Sequence, residues 1–254
     1  MKKRLRKRIT AALSAITVFC STLCIPNADM TKVAAQAADI KDFKISDVVM
    51  TDDYCTNAFS KEMKYLLAFD TERLLAGFRD NAGLSTNGAK RYGGWENTNI
   101  AGHSVGHYLT AIAQAYQNPS ISAEEKNALY GRMKTLIDGM QQCQKNSKGK
   151  AGFLWAAPVH SDRNVERQFD RVEIGKANIF DDAWVPWYTM HKLIAGIVDV
   201  YNATGYAPAK ETASNLGDWV YNRCKNWSDQ THRTVLSIEY GGMNDCLYDL
   251  YAIT

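Results

Sequence analysis

The sequence predicts an all-α fold made of helical hairpins. Its long segments carry apolar residues at helical spacing, and no convincing run of alternating strands is found. Three segments, 107–116, 191–201 and 244–251, each begin with a polar residue and end near a tyrosine. If these segments are the inner helices of a barrel, their polar first residues converge at one end, which the loops 80–99 and 144–183 would cover.

Residues 1–37 have the pattern of a secretory signal peptide. Basic residues crowd positions 2–8, an apolar stretch fills 9–25, and Ala35-Gln36-Ala37 is a suitable cleavage site. Serine and threonine interrupt the apolar stretch and Pro26 follows it, so a permanent membrane span is not expected. We therefore predict a secreted protein with no membrane segment after the signal is removed.

The charge of the predicted mature chain argues against nucleic acid as a partner. Removal of residues 1–37 takes away seven basic residues and one acidic residue, which changes the formal net charge from +3 to −3. No basic patch remains to follow a phosphate backbone.

After the signal we predict a polar leader at 38–56, extended over the surface, and a domain at 57–254. The helical pattern begins at Asn57 and continues as one long helix, or as two that break near Asp70-Thr71. The glycine- and asparagine-rich segment 80–99 is predicted to be a loop.

The next helix passes through 102–116 and ends at Asn118-Pro119. Ser122 and Glu125 form a capping box for the helix that follows. Residues 144–183 then form an irregular segment, and segments of this length are usually functional or mobile.

A helix inside 184–205 is the segment with the clearest functional character. Thr189 is predicted to cap its N-terminus and Gly205 to end it, which places His191 in the first turn beside Trp184, Trp187 and Tyr188. Aromatic faces and a polar group on a rigid helix end are typical of a sugar site. The alternative is a packed loop with a capping histidine.

Two further helices complete the chain. One is predicted from about Pro208 to Arg223, with the proline in its first turn. The other follows the segment 239–242 and runs to the end of the sequence.

His103 and His107 lie four residues apart and therefore share a helix face. Such a pair can line a polar site, hold a metal with a third ligand, or form satisfied structural contacts. Ser104 stands where a zinc protease of the zincin type has glutamate. Gly102 and Gly106 indicate that a neighbouring backbone comes close.

Glu96, beside Trp95, and Glu239 are carboxylates in glycine-rich aromatic segments. Glycoside hydrolysis usually needs two carboxyl groups, one of them protonated, but each of these could instead brace a loop or cap a helix. Asn244 and Asp245 head the last helix. The negative charge of Asp245 at the helix N-terminus could stabilise the helix through its dipole. Alternatively, Asp245 could bind a sugar hydroxyl.

Four cysteines follow the predicted signal: Cys55, Cys143, Cys224 and Cys246. They could pair in three ways, but a domain of this size does not need disulfides. Cys143 and Cys246 lie in helical apolar patterns, and we expect them to be buried free thiols. No C-x-x-C pair is present.

Several of these segments together resemble the β-L-arabinofuranosidase group of glycoside hydrolases, families 127 and 146. The motifs GHSVGHYL and EYGGMN resemble family 146 more closely than family 127. The matching segments are YLLAFDTERLLAGFR (65–79), GGWE (93–96), GHSVGHYLTAIAQAY (102–116), WVPWYTMHKLIAGIVDVYNATG (184–205), LGDWV (216–220) and EYGGMNDCLYDLYAIT (239–254).

The resemblance implies a catalytic (α/α)6 barrel that retains configuration as it releases β-L-arabinofuranose from plant cell-wall glycans. It implies a zinc-bound cysteine thiolate as nucleophile and a glutamate as acid/base. Those motifs lie beyond Thr254, so we expect a partial barrel, truncated at the C-terminus, with unknown catalytic residues and no metal site of its own.

Within this chain, the residues expected to bind substrate are His191, which matches a pocket position of the family, and His103, His107, Glu239, Asn244, Trp95 and Trp187. The expected partner is an arabinofuranose-containing carbohydrate.

Two alternatives remain at this point. A polysaccharide lyase on a similar barrel would favour a basic cleft, which the net charge of −3 does not support. A non-catalytic sugar-binding protein would use Trp95, Trp184 and Trp187 as stacking platforms.

Overall fold

The computed structural model describes residues 43–180 and 182–254. The predicted signal peptide at 1–37 and the first residues of the leader lie outside this range. Within it the regular elements are nine α-helices and two short 3-10 helices, with no β-strand, and a single bridge pairs Asn178 with Ala183. The all-α prediction is therefore confirmed.

The α-helices are α1 (Asp53–Ala68), α2 (Thr71–Ala82), α3 (His103–Gln117), α4 (Ala123–Lys145), α5 (Arg167–Glu173), α6 (Pro186–Thr204), α7 (Ala207–Cys224), α8 (Asp229–Ile238) and α9 (Gly242–Ile253), and the 3-10 helices are Ile45–Asp47 and Gly94–Asn97.

The first helices confirm the predicted break and correct the predicted start. Helix α1 ends at Ala68 with Phe69 as its C-cap, and Asp70 caps α2, because its carboxylate accepts from the backbone N–H of Glu72 at 2.9 Å. Helix α1 begins at Asp53, four residues before Asn57, where Asp52 accepts from Cys55 N–H at 2.8 Å. Part of the leader predicted to be extended is therefore helical.

The segment predicted to be irregular at 144–183 contains helix α5. The Arg223 guanidinium, only 3% exposed, binds Glu166 at 2.6 Å and Asp170 and Glu173 at 2.5 Å each. This ion-pair cluster anchors α5 and its preceding loop to the end of α7. The seven-residue helix is too short for its periodicity to be recognised in the sequence.

Helix α8 was also missed, because only Val235 among its residues is buried and its pattern is largely polar. Three predicted boundaries are confirmed. Ser122 and Glu125 form the capping box of α4, Asn118 ends α3, and Gly205 ends α6 with a φ of +67°.

The helices are arranged as inner and outer partners, as in an α/α toroid. Helix α6 lies between α3 and α9, while α4 packs on α2, α3 and α7. The longest interface joins α3 to α6. Thr110 Oγ1 donates to Asp199 Oδ2 across it at 2.6 Å.

Two glycines make the close approach of α3 and α6 possible. A Cβ atom on Gly106 would lie 2.2 Å from the carbonyl oxygen of Lys192, and one on Gly196 would lie 2.3 Å from that of Gly106. The close backbone approach predicted at Gly106 is thus present, and it holds the two helix N-termini side by side.

None of the helices within the described ranges combines the length and the apolar character needed to cross a membrane.

Gly106→Ala is expected to lower the free energy of unfolding by about 1–3 kcal/mol or more, because the added methyl group meets backbone atoms of α6. Gly131→Ala on α4 is the matched control. Nothing lies within 4 Å of its Cβ, so better helix propensity should make this change neutral or stabilising by up to about 1 kcal/mol. Urea denaturation followed by circular dichroism measures both, and equal effects would contradict the packing role of Gly106.

Candidate functional site

The N-terminal ends of α3, α6 and α9 meet in one cluster of polar side chains. His107 Nε2 on α3 lies 3.3 Å from the Tyr188 hydroxyl on α6, and the rings of His103 and Tyr188 are 5.9 Å apart. The backbone N–H of Tyr188 donates to Glu239 Oε2 at 2.8 Å, just before α9. The convergence expected of inner helices is therefore present in the described part of the chain.

Glu96 braces the start of α3. Its two carboxylate oxygens accept from Gly102 N–H at 2.9 Å and from Ser104 N–H at 3.1 Å. His103 Nδ1 lies 3.6 Å from the same carboxylate. Because Glu96 satisfies N–H groups that α3 leaves unpaired, the bracing alternative describes its contacts better than a catalytic role.

His103 has a partner for its ring as well. Its Nδ1 lies 2.8 Å from the carbonyl oxygen of Ile100, which can only accept, so Nδ1 carries the proton. Nε2 lies 3.5 Å from Ser104 Oγ. These contacts make His103 a largely satisfied side chain next to the cluster.

His107 is exposed at the site, but partial desolvation of its ring by neighbouring atoms and the positive charge of Lys192 lower its pKa. A neutral imidazole presents one donor and one acceptor, which suits a neutral polar ligand. Tyr188, which contacts His107, was not among the predicted site residues. Its spacing of three from His191 on a helix was the signal that could have identified it.

His191 lies in the second turn of α6, one turn later than predicted. The helix begins at Pro186, so Thr189 is not an N-cap, and its buried hydroxyl bonds instead to the Val185 carbonyl at 3.4 Å. The half-buried His191 ring packs against Gly242, and neither ring nitrogen hydrogen-bonds within the described residues. Burial is the main cause that lowers its pKa.

Glu239 is the acid of the cluster whose pKa is shifted most. Burial raises its pKa to about 7, against the smaller opposing effect of the backbone N–H groups of Tyr188 and Trp187. Its Oε1 is buried and has no hydrogen-bond partner in the described structure. The side chain therefore exchanges a proton near neutral pH while it holds the start of α6.

Three tryptophans considered for sugar stacking differ in exposure: Trp95 is exposed, Trp184 is half-buried and Trp187 is buried. Trp95 is 58% exposed, and its ring lies 5.8 Å from that of half-buried Trp184. Trp187 is only 5% exposed and packs on Phe169 and Trp219 at centroid distances of 4.9 and 5.8 Å. Trp187 thus packs in the core, whereas it was predicted to stack against the sugar.

Asn244 and Asp245 lie in the first turn of α9, and both are exposed. Asn244 N–H donates to the carbonyl of Gly241 at 3.0 Å, a contact that belongs to the helix start. Within the described residues, no hydrogen bond joins the Asn244 side chain to the cluster of His107, Tyr188 and Glu239, so its predicted role in binding stays a prediction.

Within the described residues, the four cysteines do not come together as the zinc-bound thiolate site that the resemblance implies. All four thiols are free and lie on the separate helices α1, α4, α7 and α9. Burial raises the pKa of Cys143 to about 11 and the pKa values of Cys224 and Cys246 to about 12, so these groups stay protonated. In 43–180 and 182–254 no three His, Cys, Asp or Glu side chains come together as metal ligands.

Comparison with known families gives one match. The family described as beta-L-arabinofuranosidase, GH127 catalytic domain, matches residues 47–254. This family bears out the resemblance read from the sequence motifs, although its description names family 127 and not the family 146 that two motifs favoured. No curated protein matches the chain.

Glu239→Gln is expected to flatten the pH dependence of stability. The pKa of Glu239 rises from 4.5 to about 7 on folding, so its contribution is full below pH 4.5 and is lost as the pH rises to 7. The free energy of unfolding of the wild type should therefore fall by up to about 3 kcal/mol relative to Glu239→Gln across this window. Urea titrations at a series of pH values test this, and parallel profiles would contradict the raised pKa.

Proposed function

We propose, from the premise that the chain belongs to the GH127 β-L-arabinofuranosidase family, that it binds β-L-arabinofuranosides as part of a secreted glycoside hydrolase. The sugar lies at the joined N-termini of α3, α6 and α9. The substrate class is the plant cell-wall glycan that carries this furanose.

The observation that carries the proposal is the arrangement of His107, the Tyr188 hydroxyl and His191 around one helix end. His107 and Tyr188 are 3.3 Å apart, and His191 follows Tyr188 by one turn on the same helix. Lowered pKa values keep both imidazoles neutral at pH 7, where each offers a donor and an acceptor. Sugar hydroxyls need both kinds of partner.

Trp95 and Trp184 add an aromatic surface of the kind that packs against the apolar face of a sugar ring. Trp95 has the exposed ring and Trp184 supports it at 5.8 Å. We assign stacking to Trp95, since the neighbouring half-buried ring restricts its orientation.

Glu96 and Glu239 act as braces in this proposal. Glu96 holds α3 through Gly102 and Ser104, and Glu239 holds α6 through Tyr188. We derive no bond-breaking step from them or from the protonated thiols. Cleavage is expected to need the zinc-bound thiolate and the acid/base glutamate that the resemblance implies.

His191→Ala is expected to weaken binding of methyl β-L-arabinofuranoside about tenfold, because it removes one hydrogen-bonding partner of the sugar worth about 1.4 kcal/mol. Helical circular dichroism should not change. His160→Ala removes an exposed histidine from the loop before α5 and is the control, with affinity expected to equal that of the wild type. Isothermal calorimetry measures all three proteins.

The alternatives give different outcomes in the same experiments. Unfolding of His191→Ala would support a structural histidine. An unsaturated product absorbing in the ultraviolet from a uronate-containing glycan would indicate a lyase. Binding by a full-length protein without release of arabinose, with or without zinc, would indicate a sugar-binding relative.

A further inference from the structure

Helix α6 is contacted at two points one turn apart, by Glu239 at the end of α8 and by Gly242, the first residue of α9. Glu239 accepts from the backbone N–H of Tyr188 at 2.8 Å, and the ring of His191 packs on Gly242. The first contact holds the backbone of α6, and the second touches a side chain that the proposed function uses.

The contact at Gly242 exists only because the residue lacks a side chain. A Cβ atom there would lie 2.2 Å from His191 Nδ1, 2.3 Å from its Cε1 and 3.0 Å from its Cγ. Real Cβ atoms do not approach other heavy atoms this closely, so with alanine the imidazole would have to move.

The backbone conformation does not require glycine at position 242. Its φ is not positive, whereas the preceding Gly241 has a φ of +96° and nothing within 4 Å of its Cβ. Adjacent glycines therefore serve different purposes, since Gly241 provides backbone freedom and Gly242 provides space for a ring.

We propose that Gly242 is a positioning residue for sugar binding, because it seats the His191 imidazole and thereby determines which ring edge the ligand meets. The inference rests on the proposed function for its ligand, but the seating of the ring can be measured without sugar. With its Nδ1–Cε1 edge against Gly242, His191 is held in one orientation although it makes no hydrogen bond within the described residues.

Gly242→Ala tests the seating directly. In protein labelled at histidine, the His191 resonances should move and its pKa should rise toward the ordinary histidine range, because the ring leaves a site where burial and the charge of Lys192 lower the pKa, against the opposing effect of Asp245. Affinity for methyl β-L-arabinofuranoside should fall about tenfold.

Two controls separate seating from general loss of structure. Gly131→Ala adds a methyl group in open space on α4, and should leave the His191 resonances and the affinity unchanged. Gly241→Ala strains the backbone without touching the ring, so its main effect should be on the free energy of unfolding.

The double variant His191→Ala/Gly242→Ala keeps the proposal testable if Gly242→Ala does not fold. Recovery of folding in the double variant would support a clash with the imidazole alone, whereas failure to recover would overturn it. His191 resonances that stay unchanged in a folded Gly242→Ala protein would also overturn the proposal. If the wild type bound no arabinoside while the resonances moved as expected, the proposed function would fail and the seating would stand.

Discussion

The contact of α3 with α6 is the constraint on which the rest of the structure depends. Gly106 and Gly196 allow the two backbones to approach until a methyl group on either would overlap a carbonyl of the partner helix. At this separation the first turns of the helices lie side by side, so His107 reaches the Tyr188 hydroxyl. Wider spacing, as ordinary core side chains would impose, would separate these two groups.

The remaining site residues are positioned by segments that hold these two helix ends. Glu96 supplies a carboxylate to unpaired N–H groups of α3, and Glu239 does the same for Tyr188 in the first turn of α6. Both oxygens of Glu96 and the Oε2 atom of Glu239 thus accept hydrogen bonds from backbone groups. A family membership that implies glycoside hydrolysis does not by itself turn such carboxylates into catalytic groups, because the hydrogen-bond partners determine what each can do.

Burial sets the chemical character of the site. It lowers the pKa values of His107 and His191 and raises that of Glu239 to about 7, so near neutral pH both imidazoles are neutral and Glu239 is partly protonated. The same effect keeps Cys143 and Cys246 as thiols. A site of this kind suits neutral sugar hydroxyls, in contrast to the ionised thiolate that a metal-assisted nucleophile needs.

The sequence by itself determined the all-α class, the long amphipathic helices and their stops at Asn118 and Gly205, because these depend on local periodicity and backbone preference. It also determined the family through long motifs. Only the tertiary structure decided that α5 is a helix, held by distant Arg223, that Trp187 is buried, and that His191 rests on Gly242. Each of these depends on contacts between residues far apart in the chain, and no local pattern encodes such distances.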